Sequence, residues 1–335
     1  MHAFSCERCG QLIFFHNSAC LRCGAPLAFD PDALRMVVAD DGQRRCAASR
    51  TAACNWLAAT PGELCASCRL TRTRPADGDA AALAAFAEAE AHKRRLLFNL
   101  RSLGLDLEPR DEATGTGVAF DLLASDHTPV TTGHAGGVIT LDLAESDTVH
   151  REQVRARMRE PYRTVLGHFR HEIGHHLFTV LVHDDDLPEV RDRFGDETAD
   201  YQAALDRHYA DGPPLDWATD HVSEYATMHP AEDWAETFAH YLHIRATLET
   251  AAAYRLRVDG PEEAVGDAYV ADPVAVDPTS FDDISATWLP LSFALNAVSR
   301  SLGDGDLYPF VLPPTVLDKL ALVHRIVERA AHAGS

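Results

Sequence analysis

The sequence has no cysteine after residue 68, although eight cysteines stand before that point. It also has no uninterrupted apolar run near the roughly 20 residues that a membrane-spanning helix needs. Its first residues show no basic segment followed by an apolar one, which is the pattern of a secretory signal peptide. We therefore expect a cytoplasmic protein without a membrane anchor, in which paired cysteines bind metal rather than form disulfides.

Basic residues are scarce, since 30 Lys and Arg stand against 51 Asp and Glu, for a net charge of −21. Residues 1–110 hold 14 basic and 12 acidic residues, whereas the remainder holds 16 and 39. So acidic a portion repels phosphate backbones, which argues against nucleic acid as a partner and favours basic or neutral substrates. Solubility alone is the other explanation of this charge.

The cysteines fall into two sets of four. The first set is Cys6, Cys9, Cys20 and Cys23, and the second set is Cys46, Cys54, Cys65 and Cys68. Two Cys-x2-Cys knuckles complete a tetrahedral site in the first set, but only one pair of the second set has that spacing. We predict two structural zinc ions, paired in sequence order, with a cross-braced pairing left open. The region has either a purely structural role or a second one in recognising a protein partner or nucleic acid, for which its arginines are the only support.

The cysteine-rich region is followed by a break and then by a long helix. Pro75-Ala76-Asp77-Gly78-Asp79 marks the break, and residues from Ala80 to about Leu103 are rich in strong helix formers, with Gly104 at the end. We predict a zinc-ribbon region over 1–75, a linker helix over 76–110 and a third domain over 111–335.

The sequence H-E-x-x-H occurs once, at His171-Glu172-Ile173-Gly174-His175. On a helix the two histidines project from one face, so that two imidazole nitrogens can bind one metal ion beside the carboxylate of Glu172. These are the parts of a zinc hydrolase, in which Glu172 removes a proton from water as it attacks a carbonyl carbon. A five-residue motif also occurs by chance, so the prediction of a metal site needs a third ligand elsewhere in the chain.

That ligand is best sought in a second predicted helix, which begins near Pro230. Glu232, Glu236 and His240 are spaced four apart and form one polar stripe beside much aromatic surface. The spacing of Tyr225, Glu232 and Glu236 resembles the catalytic domain of the anthrax lethal-factor-like gluzincins. The resemblance implies that Glu232 is the third zinc ligand, that Glu236 supports the site and that the phenol of Tyr225 faces the reacting carbonyl.

Most of the chain resembles a narrower group, the zinc-binding metallopeptidases with an N-terminal zinc-ribbon region. The likeness lies in the cysteine-rich start, in the run from 160 to 164 before the motif, and in the run from 229 to 236. In that group an aromatic pair often follows the second histidine of the motif, whereas in this sequence His175 is followed by His176-Leu177-Phe178. This departure leaves the three ligands intact, and we expect His176 and His168 to be structural.

Other segments of the chain carry further predictions. Residues 114–143 indicate strands, and 137–143 is either the cleft-edge strand that pairs with an extended substrate or an ordinary internal strand. His134 precedes it and is a candidate lining residue. Residues 183–220 either shape the substrate entrance or form a surface insertion, and 284–302 and 314–331 predict two helices of a terminal cap.

Together these features predict an α+β protein, with a zinc-ribbon region followed by a mostly helical zincin-like metallopeptidase domain that contains a small β-sheet. We expect one catalytic and two structural zinc ions, and a peptide or protein substrate cleaved at a peptide or isopeptide bond. Two alternatives stay open: an amidase of narrow specificity, and a zinc-ribbon interaction module with a non-catalytic hydrolase fold.

Overall fold

The computed structural model describes residues 2–39, 44–125, 129–158, 162–258 and 280–333. The chain divides into two compact units, residues 2–176 and residues 177–335. The architecture is α+β, because a cysteine-rich N-terminal region with short β-strands precedes a mainly helical part. Among the described helices, none combines the length and apolar composition required to span a bilayer.

The cysteine-rich region is built from two short hairpins and an aromatic core. β1 (Phe4–Ser5) pairs with β2 (Leu12–Ile13), and β3 (Leu27–Asp30) pairs with β4 (Arg35–Val38), both antiparallel. The ring of Phe29 lies 4.8 Å from Phe15, 5.1 Å from Trp56 and 5.6 Å from Phe98, between ring centroids. These buried aromatic rings supply the apolar contacts that so short a segment otherwise lacks.

Helix α1 (Ala80–Ser102) is capped at its N-terminus by Asp79, whose side chain accepts a hydrogen bond from the backbone of Ala82. Its predicted extent is confirmed within one residue. Phe98 joins the aromatic core just described, and the adjacent Asn99 accepts a hydrogen bond of 2.8 Å from Arg170. One helix therefore contacts both the cysteine-rich region and the residue that directly precedes His171.

A four-stranded sheet lies in the same unit, in the order β5-β6-β8-β7. The strands are β5 (Thr71–Thr73), β6 (Ala119–Leu123), β7 (Gly133–Ala135) and β8 (Val138–Asp142). The first three in that order are parallel, and β7 is antiparallel to β8. The prediction of a cleft-edge strand over 137–143 is wrong, because β8 pairs on both sides, with β6 and with β7. In the described part of the chain, β7 is the edge strand next to it.

Helices α2 (Thr148–Met158) and α3 (Val165–Leu181) follow the sheet, and α3 carries the H-E-x-x-H sequence. The sequence predicts a join between two helices near Pro161, but Pro161 and the neighbouring Glu160 lie outside the described residues. Phe169, Ile173 and Leu177 form the buried face of α3, as their spacing predicts. The same three- and four-residue spacing predicts Val180 on that face, but Val180 is 54% exposed and Leu181 is buried in its place.

The described part of the second unit is helical, with five α-helices after α3. They are α4 (Leu187–Phe194), α5 (Tyr201–Asp211), α6 (Pro230–Ala253), α7 (Phe281–Ser301) and α8 (Pro314–Ala333). Helix α6 contacts α4, α7 and α8, and its aromatic residues Trp234, Phe238 and Tyr241 are buried. The two predicted C-terminal helices are confirmed by α7 and α8. After residue 245 the sequence also predicts breaks in the helical pattern at Pro261, Pro273 and Pro278, and these three residues lie outside the described part of the chain.

Candidate metal centre

The eight cysteines form two groups of four, in sequence order rather than cross-braced. In the first group Cys6 Sγ lies 3.8 Å from Cys23 Sγ, and Cys9 Sγ lies 3.6 Å from Cys20 Sγ. Tetrahedral ligands at a zinc–sulfur distance of about 2.3 Å stand roughly 3.8 Å apart, so the sulfur atoms fit one ion. Backbone N–H groups lower the pKa of Cys20 to about 6, whereas at Cys9 the opposing backbone N–H of Gln11 is outweighed by desolvation and the neighbouring thiols, which raise the pKa to about 11. Cys20 therefore becomes a thiolate, the form that binds metal, at lower pH than Cys9.

The second group is buried and has charged neighbours. All four of its cysteines are at most 5% exposed, and Cys54 Sγ lies 3.6 Å from Cys65 Sγ. Glu90 on α1 has an oxygen 3.9 Å from Cys68 Sγ and forms a fully buried ion pair with Lys93. That ammonium offsets negative charge beside the thiolates, as a buried anionic cluster requires.

The two histidines of α3 approach each other through their Nε2 atoms. His171 Nε2 and His175 Nε2 lie 3.2 Å apart. Two nitrogen ligands of a tetrahedral zinc ion, each bound at about 2.0–2.1 Å, stand roughly 3.3 Å apart. One helical turn therefore places this pair at the separation that a shared ion needs. Glu172 follows His171 in sequence and is 9% exposed.

Other histidines lie close to this pair. The ring of His134, on β7, has its centroid 6.1 Å from that of His175 and 6.0 Å from that of His176. Its Nε2 accepts a hydrogen bond of 3.2 Å from the backbone of Gly137, and burial lowers its pKa to about 4. Near the start of α3, His168 Nδ1 lies 3.8 Å from the buried carboxylate of Glu145.

The start of α6 is fixed by His229. Its Nδ1 accepts a hydrogen bond of 3.1 Å from the backbone of Ala231, and its Nε2 lies 3.0 Å from the carbonyl oxygen of Ala199. Since Nδ1 accepts, Nε2 carries the proton and donates it to that carbonyl. One imidazole thus caps α6 and connects it to the segment before α5.

Glu232 lies in the first turn of α6 and is 3% exposed. Its Oε1 accepts a hydrogen bond of 3.0 Å from the hydroxyl of Tyr201, at the start of α5. Next along α6, Asp233 Oδ2 accepts a hydrogen bond of 2.6 Å from Lys319 Nζ on α8. The same ammonium donates to the carbonyl of Asp220 at 2.6 Å, so α8 holds both α6 and the loop before it.

Glu236 lies on α6, and Tyr225 lies in the segment that precedes α6. Ser223 Oγ donates a hydrogen bond of 2.6 Å to Glu236 Oε2 and accepts one of 3.1 Å from the backbone of Ala226. Tyr225 begins a short 3₁₀ helix and is 38% exposed, with its ring 6.1 Å from that of His208. His240 lies further along α6, where its Nδ1 is 2.7 Å from the hydroxyl of Tyr308.

Sequence reasoning missed three partners of these acidic residues: Tyr201, Ser223 and Lys319. Tyr201 lies within the 183–220 stretch, for which the sequence predicts a substrate entrance or a surface insertion. Its contact with Glu232 joins residues 31 positions apart, and no local spacing marks such a pair. A hydroxyl residue 13 positions before Glu236 likewise gives no periodic signal.

Comparison with known proteins now shows the family. Residues 82–326 match the model of a family described as "putative zinc-binding metallo-peptidase", and residues 3–79 match a zinc-ribbon domain. The chain belongs to this zinc-binding metallopeptidase family. It is 52% identical over 337 residues to uncharacterized proteins of Mycobacterium bovis and Mycobacterium tuberculosis, covering 99% of this chain and 96% of each relative. No solved structure matches it.

Proposed function

We propose that the protein is a zinc-dependent metallopeptidase whose catalytic zinc is bound by His171, His175 and Glu232. The observation that carries the proposal is the 3.2 Å separation of the two Nε2 atoms on α3. The resemblance to the lethal-factor-like gluzincins adds Glu232 as the third ligand. Two imidazoles and one carboxylate are a donor set of catalytic zinc sites, and family membership supports the same metal.

A zinc ion bound there supplies a Lewis acid that makes water more acidic and polarises a carbonyl. Glu172 follows His171 directly and acts as the general base: its carboxylate accepts a proton from the attacking water and then returns it to the leaving amine. Tyr225, by its resemblance to the lethal-factor-like position, donates a hydrogen bond to the carbonyl oxygen as negative charge develops. Glu236, held by Ser223, orients a ligand histidine.

The substrate in this proposal is an extended peptide. Among the described strands of this sheet, β5 and β7 lie at the edges, and β7 is the one that carries His134, at its centre. A peptide added to β7 would run beside a residue whose ring is 6.1 Å from that of His175. The proposal also includes a peptide or protein as substrate and a cytoplasmic location. It keeps the three predicted domains, which are the zinc-ribbon region 1–75, the linker helix 76–110 and the metallopeptidase domain 111–335.

The test has two parts. Zinc content per chain is measured by mass spectrometry for the native protein and for a His171→Ala, His175→Ala variant. We expect three zinc ions to fall to two, since the cysteine sites keep theirs. Two ions in both proteins would refute a zinc site on α3.

Hydrolysis of a peptide library by Glu172→Gln is the second part, with zinc content as its control. The enzyme proposal requires the variant to keep three zinc ions and lose cleavage by about 100-fold or more, because the general base is gone. Full function without that carboxylate would instead favour an interaction module with a non-catalytic hydrolase fold. Cleavage of small amides but of no peptide would favour the narrow amidase.

A further inference from the structure

We infer that Tyr201 is a positioning residue for the proposed zinc site: its hydroxyl holds one oxygen of Glu232 so that the other is presented to the metal. The inference rests on the proposed function and adds a residue that the motif resemblance does not include. Its basis is the hydrogen bond of 3.0 Å from Tyr201 to Glu232 Oε1.

The framework around this hydroxyl is well defined on both sides. Helix α5 begins at Tyr201, directly after Asp200, whose side chain accepts a hydrogen bond of 3.0 Å from the backbone of Ala203. The ring of Tyr201 lies 5.2 Å from that of His229, the residue that caps α6. The starts of α5 and α6 are therefore connected through His229, and Tyr201 and Glu232 lie on either side of that connection.

The chemistry gives the hydroxyl a specific task. A carboxylate has two oxygens, and it binds zinc through one or both of them. A hydrogen bond donated to Oε1 occupies that oxygen and favours zinc binding through the other oxygen alone. Binding through one oxygen preserves the open coordination position that hydrolysis needs. Partners of this kind orient the ligand, and their loss typically costs about 10–100-fold in metal affinity or activity.

Ring packing alone is the competing role. Tyr201 is 42% exposed, and its ring contacts the buried His229. Phenylalanine keeps the ring and removes only the hydroxyl, so Tyr201→Phe separates the two roles. A matched control is Tyr209→Phe, because Tyr209 lies on the same helix and is 69% exposed.

The experiment measures zinc affinity in the full-length protein. Zinc is withdrawn by chelators of graded strength, and the zinc that remains is counted by mass spectrometry. The His171→Ala, His175→Ala variant identifies the zinc that belongs to the cysteine sites. For Tyr201→Phe we expect the affinity of the third zinc to fall by about 10–100-fold, with an unfolding midpoint close to native. Tyr209→Phe should match the native protein in both measurements.

Equal affinity in Tyr201→Phe and the native protein would overturn the inference, whatever happens to peptide cleavage. That result differs from failure of the proposed function itself, in which the native protein would bind no more zinc than the double histidine variant. A second variant, Glu232→Ala, provides the reference: adding Tyr201→Phe to it should cause no further loss of zinc, because the hydroxyl acts only through that carboxylate. A further loss in the double variant would also overturn the inference.

Discussion

The ammonium of Lys319 lies 2.6 Å from the carboxylate of Asp233, and both side chains are almost fully buried. The pair connects α8 to the first turn of α6, next to Glu232. Burial raises the pKa of Asp233 to about 7, even though Lys319 acts in the opposite direction. Desolvation of this carboxylate thus outweighs the attraction of its partner.

Replacing Lys319 by methionine leaves that carboxylate buried without its cation. We expect the free energy of unfolding to fall by about 3–5 kcal/mol at pH 8, measured by urea titration. A folded-state pKa above the unfolded value means that stability decreases as pH rises from about 4 to 7, because the unfolded chain gives up its proton first. The loss in Lys319→Met should therefore be smaller at pH 5.

The control for this prediction is Lys319→Met combined with Asp233→Asn, which removes both charges and should recover part of the stability at pH 8. An equal loss at pH 5 and pH 8 would mean that the charge of Asp233 is not what Lys319 compensates.

The hydroxyl of Ser223 is the next target, since it donates to Glu236 and accepts from the backbone of Ala226. Ser223→Ala removes both hydrogen bonds, and we expect a loss of about 1–3 kcal/mol in unfolding free energy. Ser223→Thr keeps a hydroxyl and serves as the matched control. Identical urea midpoints for alanine and native proteins would contradict the contact with Glu236.

His92 on α1 gives a pH prediction away from the zinc ligands. Burial lowers its pKa to about 4, and the charges of Arg95 and Arg151 act in the same direction. The unfolded histidine takes up a proton near pH 6.5, so stability is lost as pH falls from about 6.5 towards 4. His92→Gln should lose less stability than the native protein between pH 7 and pH 5. Thermal midpoints would show this, with the exposed His332→Gln expected to behave as native.

The two cysteine groups should release zinc at different rates. Cys23 is exposed and Cys9 is partly exposed, whereas all four cysteines of the second group are buried. Dilute peroxide with a coloured zinc indicator should therefore give two phases, the faster one from the first group. Cys9→Ser, Cys23→Ser should remove the fast phase and keep the slow one. A single phase of two zinc ions would contradict the exposure difference.

The sequence predicts well those parts of the molecule that depend on the spacing of residues near one another in the chain. Patterns among residues close together in sequence predict three features: the Cys-x2-Cys pairs, the helix around His171 and His175, and the two C-terminal helices. Even there, the three- and four-residue steps of a helix did not decide between Val180 and Leu181, because either fits the periodicity.

The features that escaped prediction depend on distant residues. The place of β8 inside the sheet depends on β7, a strand of three residues with a glycine and a histidine that shows no alternation. The contact between Tyr201 and Glu232 depends on how α5 begins relative to α6, which His229 fixes through the carbonyl of Ala199. Such tertiary contacts leave no period in the sequence.

Helix α1 has a consequence for how the protein can evolve. Phe98 is packed in the aromatic core of the cysteine-rich region, and its neighbour Asn99 binds Arg170, one residue before His171. A cysteine-rich segment borrowed from another protein would have to reproduce the surface that receives Phe98, or it would leave that ring without its packing. The N-terminal region is therefore not a part that recombination can exchange freely, and we expect it to have been inherited together with the helix that bears the two histidines.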